Sequence, residues 1–508
     1  MNKVDVESSI PAFYAGKSVF ITGGTGFMGK ILVEKLLWSC PDIREIFLLM
    51  RPKKGVNIND RIKNMITLPI FDRLRKKKPQ VFGKLIVVSG DSMKEGLGIG
   101  DLERRFLIER VSIFFHAAAS VRFDDSLKTA VMMNTRSTRD ACILAAQMKK
   151  LEVFMHVSTA YTQADKPIVE EKHYPSEVDW KKTIKIAETV DEEILKTLTP
   201  KYLGNFPNTY TFTKRLAEQI VNDYSHVIPA IIFRPSIVIS TLTEPMPGWV
   251  DNFNGPVGIM IGGGKGVLKV VLSDPEISAD FIPVDVAIKA MITASWKRGL
   301  KKFTADPAVH VYNCSSADIK SVSLEEVANL GLRCQETYPL EGIIWKPDVL
   351  HVRSRFTFFI YVLILHILPS LILDGILKIS GKKTMLVKLQ RKVYIANSAL
   401  SHFTTNSWHF KNDKLLNLLS DVPPSDIETF GYEYATFDIN QYFTNCLIGA
   451  KVYLLNESMD NLPVAKAHLQ RMIFIDQIFK FFKYLFLIWV IYKIDPISYI
   501  VSFFDDFK

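Results

Sequence analysis

Cysteine is scarce. Only Cys40, Cys142, Cys314, Cys334 and Cys446 occur in 508 residues, far apart and odd in number. No Cys-x-x-Cys pair exists, which argues against a disulfide framework or a zinc finger and for a reduced, cytosol-facing protein that holds no metal. No apolar stretch precedes Phe13, so no signal peptide is expected. The closing Asp506-Phe507-Lys508 matches no peroxisomal or retention address. There is no internal repeat, no long basic helix and no RNA-binding aromatic pair, so nucleic acid is not an expected partner. Yet 63 Lys and Arg face 53 Asp and Glu, a net charge of +10. That surplus points to an anionic substrate or anionic lipid.

What the chain does have is punctuation by glycine. An apolar run, Ser18-Val19-Phe20-Ile21, leads into Thr22-Gly23-Gly24-Thr25-Gly26-Phe27-Met28-Gly29, and a helical pattern runs from Lys30 to Trp38. This is strand, glycine turn, helix, with Gly23, Gly26 and Gly29 at G-x-x-G-x-x-G spacing. Glycine permits the tight turn and lets backbone N–H groups approach a pyrophosphate, while the helix N-terminus adds positive potential. Further short apolar segments, Ile46–Met50, Leu85–Ser89, Ile113–His116, Val153–Val157 and Ala230–Phe233, alternate with helical patterns. The alternation predicts an α/β fold, a Rossmann-type doubly wound parallel sheet.

A carboxylate after the second strand would bind the ribose diol of NAD, and none stands there. Leu48-Leu49-Met50 runs into Arg51-Pro52-Lys53-Lys54. A guanidinium attracts a 2′-phosphate that a carboxylate repels, so Arg51, with Lys53, reads as the selector for NADPH; solvated loop charges are the plainer alternative. Asp91, after the third strand, is a candidate for the adenine or an ordinary turn residue. Ala117 and Ala118, ending the fourth, are small enough for the cofactor to lie against their backbone; close core packing would also explain them.

The chemistry is carried by Tyr210 and Lys214, spaced so that both lie on one helix face. The ammonium can lower the tyrosine pKa and bond the nicotinamide ribose, and the phenol then exchanges a proton with a substrate oxygen as hydride moves. A hydroxyl from Ser158 or Thr159, at the end of the fifth strand, orients that oxygen. The bland reading of Tyr210 and Lys214 is a helix-surface pair with no task.

Together these residues resemble an extended short-chain dehydrogenase/reductase and, more narrowly, the fatty acyl-CoA reductases that make fatty alcohols. The resemblance is carried by Thr22–Lys30, Phe115–Asp124, Leu151–Tyr161, Pro207–Lys214, Arg234–Ile239, Pro247–Gly255, Ala279–Val286 and Phe403–Trp408. It implies catalysis by Tyr210 and Lys214, with the matching hydroxyl on Thr159 and Ser158 adjacent. It also implies long-chain acyl-CoA as substrate, reduced with two NADPH through a bound aldehyde to a primary alcohol, with CoA released and no covalent cysteine. Gly24 departs from many relatives, which carry alanine there. Competing readings are a membrane-bound steroid or sugar-nucleotide dehydrogenase of the same superfamily, and a non-catalytic NADP-binding sensor. The basic stretch Arg73–Lys78 either meets CoA phosphates or is a solvated helix end.

The expected organisation is a reductase domain over 1–345, a helical fatty acyl-CoA reductase C-terminal domain over 346–455 and a membrane-anchoring tail over 466–508. An insertion from Asp165 to Phe206 is either a substrate flap or a surface excursion. Phe356–Leu373 carries no Asp, Glu, Lys or Arg and is just long enough for a thinned bilayer; it reads as membrane-embedded, in-plane or a buried core helix. In the tail, Asp476, Lys480 and Lys483 share one face opposite Phe474, Ile475, Phe479 and Phe482, the pattern of an interfacial helix. Membrane lipid is therefore an expected partner. The expected location is a peroxisomal or endoplasmic reticulum membrane, with the catalytic domain facing the cytosol. No motif speaks to oligomeric state.

Overall fold

The computed structural model describes residues 9–494 apart from 53–54, 56, 254, 304–305, 317–318, 320 and 433–436. Thirteen strands occur among them: β1 Ser18–Thr22, β2 Glu45–Met50, β3 Leu85–Ser89, β4 Val111–His116, β5 Val153–Val157, β6 Ile168–Val169, β7 Ala230–Pro235, β8 Ile237–Ile239, β9 Val270–Leu272, β10 Phe281–Pro283, β11 His310–Cys314, β12 Leu350–Val352 and β13 His409–Phe410. Seven form one sheet in the order β11-β7-β5-β4-β1-β2-β3, with every neighbouring pair parallel. The order reverses between β1 and β4, so a crevice opens beyond their carboxyl ends, where such sheets bind ligands.

Both faces are covered. On one, helices Phe27–Ser39 and Val284–Gly299 pack Ile31, Leu36, Ile288 and Met291 onto the sheet. On the other, helices Asp101–Arg110, Ser137–Gln147 and Thr209–Tyr224 bring Leu107, Leu144, Phe212 and Leu216. Double coverage is why β1, β2, β4, β5 and β7 are buried along their whole length and read as unbroken apolar runs. The sequence pattern anticipates the first six strands of the sheet; β11, at its edge, escaped it.

A second lobe is assembled from distant segments. β8 pairs with β10 and β9 with β12. Helices Pro256–Gly264, Leu324–Thr337 and Ile439–Gly449 share a core with Ile239, Val250 and Phe281. The chain beyond residue 345 is woven into the first part: β13 pairs with β6, and the Asp426 carboxylate accepts the Ile10 N–H at 2.7 Å. The insertion divides. Trp180, Ile184 and Ala187 of helix Trp180–Thr189 pack into the sheet-covering core, whereas β6 and Glu171 hold the C-terminal region. The Glu171 carboxylate accepts N–H groups of Asn313, Leu415 and Lys414, and burial pushes its pKa up to about 7.

The apolar segment forms helix from Arg355 to Ile379, with a π-turn at Leu363–Ile367 just before Pro369, where the missing N–H disturbs the ladder. It is not a buried core helix: Phe356, Ile372 and Ile379 are 74, 64 and 89% exposed. It is long and apolar enough to cross a membrane by length and composition. The tail is one helix, Leu462–Ile494. Its first half docks through buried Ala465 and Leu469, and the His468 ring donates to the Ile343 carbonyl at 2.8 Å. Asp476 therefore differs from the sequence expectation of a solvent-facing charge. It is buried, accepts from the Trp345 indole at 2.8 Å and pairs with Lys480 at 2.9 Å. Farther on, Phe481, Phe486 and Trp489 stand exposed. The residues after Ile494 lie outside the described ones.

Candidate active site

The glycine turn rests on the backbone that follows β4. Gly23 has φ +75°, and a Cβ there would lie 2.7 Å from the Ala117 carbonyl carbon. A Cβ on Gly29 would lie 2.2 Å from the Gly23 carbonyl oxygen, and Gly26 donates its N–H to that oxygen at 2.9 Å. These approaches leave the helix start at Phe27, which no side chain caps, facing the crevice between β1 and β4. That is a cradle shaped for a pyrophosphate. Thr22 closes its base: its hydroxyl accepts the Ala118 N–H at 3.3 Å and bonds His116 Nδ1 at 2.8 Å, while His116 Nε2 meets Thr138 at 3.1 Å. Burial, with Lys214 nearby, pushes His116 down to about 3, so the ring is neutral.

Phe27 and Met28 contribute backbone here; the Phe27 ring stacks on Trp249 at 5.6 Å and Met28 packs against the core. Thr25 is partly buried. At Gly24 a Cβ would meet only the end of the Leu48 side chain, at 2.8 Å, a neighbour able to move. Arg51 stands exposed directly after β2, and Arg61, from helix Ile58–Ile66, donates to the Arg51 carbonyl. A second guanidinium, which no motif announced, thus lies against the Arg51 backbone. Lys53 lies outside the described residues. The Asp91 carboxylate accepts the Met93 N–H at 3.0 Å, capping the turn after β3.

Tyr210 and Lys214 project from helix Thr209–Tyr224, whose first turn is capped by Asn208 accepting the Thr211 N–H at 2.9 Å. Thr159 stands near the Tyr210 phenol and favours its ionised form, but burial outweighs this and pushes the phenol up to about 12, so it holds its proton at neutral pH. Lys214 is 2% exposed and donates to the Val157 carbonyl at 2.7 Å. Burial lowers its pKa to about 8, against the pull of the Glu218 carboxylate. The expected lowering of the tyrosine by the lysine is not found: burial raises Tyr210, and Thr159 rather than Lys214 opposes it.

Ser158 and Thr159 part company. The Ser158 hydroxyl donates to Glu218 at 2.6 Å. Glu218 in turn binds Arg234 through both oxygens, at 2.8 and 2.6 Å, and accepts from Thr162 at 3.2 Å. Ser158 is thereby tied into a buried ionic network, and Thr159 is the hydroxyl that meets Tyr210. Sequence reasoning missed Glu218 and Arg234. The signal was present: Tyr210, Lys214 and Glu218 recur every four residues on one helix face.

The C-terminal region supplies an aromatic wall. Phe123 lies 5.9 Å from Tyr210 and 5.2 Å from Phe403; Tyr161 lies 5.2 Å from Phe403 and 5.5 Å from Trp408. The basic stretch is largely occupied structurally. Arg73 binds Glu34 and Glu244, and Lys78 donates to the Trp38 carbonyl at 2.8 Å. All five cysteines are buried and free, and burial pushes the thiols of Cys40, Cys142, Cys314 and Cys446 up, away from nucleophilic use.

Known proteins share this architecture. An NAD-binding family model described as male sterility protein matches residues 21–291, and a second model of the same description matches 365–457. The chain is 38% identical to fatty acyl-CoA reductase 1 of Xenopus laevis over 91% of this chain and 90% of that protein. It is 36% identical to the Homo sapiens fatty acyl-CoA reductase 1 over the same shares. Among solved structures, the terminal R domain of the myxalamid biosynthetic pathway superposes with a TM-score of 0.57 at 17% identity, covering 87% of this chain and 91% of that one. A reductase domain of a Mycobacterium tuberculosis peptide synthetase gives 0.56 at 17% identity, covering 89 and 99%. At that identity the likeness is one of fold.

Proposed function

This chain belongs to the fatty acyl-CoA reductase family and is an alcohol-forming oxidoreductase that uses a nicotinamide cofactor; from that premise we propose that it reduces long-chain fatty acyl-CoA with NADPH to the primary alcohol, releasing CoA. The observation that carries the reading is the Tyr210–Thr159 hydroxyl pair, with Lys214 one helical turn along the same face, beside the glycine cradle.

The cradle of Gly23, Gly26 and Gly29, with Ala117 and Ala118, would hold the pyrophosphate, Arg51 and Arg61 a 2′-phosphate, and Lys214 the nicotinamide ribose. When bound, the nicotinamide supplies hydride to the carbonyl carbon. Thr159 orients the thioester oxygen, and Tyr210, protonated at neutral pH, gives it a proton as charge develops there. The resulting hemithioacetal returns its hydroxyl proton to the Tyr210 phenolate as the C–S bond breaks, giving the aldehyde and the departing CoA thiolate. In the second reduction the aldehyde oxygen takes its proton from the same phenol. Lys214, charged below its pKa of about 8, supplies positive potential that stabilises the phenolate left when Tyr210 has given up its proton. The wall of Phe123, Phe403 and Trp408 excludes water from the aldehyde.

The apolar helices point to a membrane. We infer that helix Arg355–Ile379 and the far end of helix Leu462–Ile494 enter the bilayer of an organelle, with the catalytic lobes in the cytosol. They flank one loop: His366 accepts the Lys269 N–H at 2.9 Å, and Lys269 Nζ donates to the Lys346 carbonyl at 2.5 Å, next to Trp345. Such a surface suits a substrate that partitions into lipid.

The deciding experiment incubates detergent-solubilised protein with acyl-CoAs of graded length and NADPH or NADH and identifies products by gas chromatography. Alcohol formed with consumption of two NADPH supports the reading. No reduction at any chain length overturns it.

A further inference from the structure

Beside the aromatic wall a cleft separates helix Pro256–Gly264 from helix Leu324–Thr337. Met260, Val327 and Val349 give it an apolar lining, and Thr404 forms part of its wall. Its polar side chains are partly engaged elsewhere, with Gln335 Nε2 and His351 Nε2 left without a partner among the described residues. Gln335 Oε1 accepts the Leu340 N–H at 3.1 Å, His351 Nδ1 meets the Ser273 hydroxyl at 2.8 Å, and Thr404 donates to the Leu272 carbonyl at 2.7 Å.

Two continuities say what could occupy it. Thr404 follows Phe403, whose ring touches Phe123 and through it Tyr210. His351, also in the wall, lies on β12, which passes through Ser354 directly into the apolar helix that starts at Arg355. The cleft thus lies one residue along the chain from the ring of Phe403 on one side and a few residues from the apolar helix on the other.

Three glycines line it, and they differ. A Cβ at Gly263 would meet Val349 Cγ2 at 2.6 Å, and one at Gly264 would meet the Gln335 amide nitrogen at 2.1 Å. Close packing accounts for both. At Gly331 a Cβ would meet only Met260 Cγ, at 3.5 Å, an ordinary contact. Glycine is disfavoured inside a helix, and packing does not require it here. What its absent side chain preserves is open space in the cleft.

We propose that this cleft receives the hydrocarbon chain of the substrate, and that Gly331 sets the length of chain it accepts. The proposal rests on the acyl-CoA reductase reading above. Each methylene moved from water into such a lining strengthens binding roughly fourfold, so a side chain that displaces the distal carbons acts selectively on long substrates.

The test uses the full chain in detergent. NADPH consumption is measured with C8, C12, C16 and C18 acyl-CoA for wild type, Gly331→Ala and Gly331→Leu, with NADPH binding by fluorescence as the check on folding. In Gly331→Leu, kcat/KM with C16 and C18 should fall about tenfold or more while C8 and C12 stay within about threefold; Gly331→Ala should lie between. A uniform loss at all lengths, or an unchanged C16-to-C8 ratio, overturns the assignment. Should the leucine variant fail to fold, the same ratio read in Gly331→Ala and Ala328→Val decides. Failure of the wild type to reduce any acyl-CoA would instead remove the function itself, so the two failures are distinguishable.

Discussion

Two helices invert the usual rule of burial. Thr209–Tyr224 is polar in sequence yet buries Thr211, Thr213, Lys214 and Glu218. Arg355–Ile379 is apolar in sequence yet leaves Phe356, Phe359, Ile372 and Ile376 in the open. An exposed leucine alone says little; a buried lysine or a contiguous exposed apolar face is informative. In the first helix every buried charge has a partner, so the desolvation is offset and the groups are held in place for chemistry. In the second no part of the described chain covers the exposed apolar face, which is the ground on which a membrane is proposed as its partner. The proposed sites of reaction and of attachment are thus the places where hydropathy and burial disagree.

The sharpest way to break this comparison is Tyr210→Phe. The ring packing survives and the proton donor does not, so turnover should fall by about 10²–10⁴-fold while NADPH affinity stays within a few-fold. Turnover by NADPH oxidation and affinity by fluorescence titration check it; near-normal turnover would show that this helix is buried for packing alone.

Thr159 and Ser158 give a second contrast. Thr159→Val should cost turnover about 10²-fold, since the partner of Tyr210 is lost. Ser158→Ala removes one hydrogen bond to Glu218 and should cost about 1–2 kcal/mol of stability, with turnover reduced less. Thermal melts and initial rates on both variants separate the roles, and equal losses of turnover would reassign the hydroxyl.

The third prediction concerns pH. Burial lowers Lys214 to about 8, and the ammonium is the useful form. Activity is therefore present below that pKa and falls about tenfold per unit as pH rises above it. Glu218 favours the charged form, so Glu218→Gln should move the alkaline limb to lower pH. A kcat/KM profile that stays flat to pH 10 would contradict the role.

Cofactor choice should follow Arg51. Arg51→Asp is expected to shift the NADPH-to-NADH ratio of kcat/KM by about tenfold or more, short of complete loss because Arg61 remains beside it. An unchanged ratio would remove Arg51 from the site.

The smallest effect on the folded protein, and the one aimed at the second helix, is Ile372→Asp. The residue is 64% exposed, so stability in detergent should change by no more than about 0.5 kcal/mol, while flotation with vesicles weakens. A chain ending after Lys480 keeps the Asp476–Trp345 bond and should also float less. Loss of folding in Ile372→Asp would mean that this face is covered by protein.

Much of the catalytic half was legible because its signals are local. The glycine spacing, the apolar strands and Tyr210 with Lys214 are each set within a few residues of chain, where backbone sterics and helical periodicity act. Glu218 with Arg234, Arg61 beside Arg51 and the rings of Phe123 and Phe403 were not, since each joins segments that only the folded sheet brings near. β11 escaped for a different reason: His310 and Asn313 interrupt its apolar pattern, although Asp306-Pro307 marks a turn before it.

By itself the sequence determined the parallel sheet, the glycine turn after β1 and the helix face that carries Tyr210 and Lys214. A glycine's freedom, a strand's double burial and a four-residue repeat are written in neighbouring residues. Only the tertiary structure separated Ser158 from Thr159, placing the first on Glu218 and the second near Tyr210, because adjacent residues at a strand end point to opposite sides. It alone decided that Asp476 docks the tail helix and that helix Arg355–Ile379 stays uncovered. Whether an apolar or charged residue is buried depends on what packs across from it, and that partner lies elsewhere in the chain, or outside it.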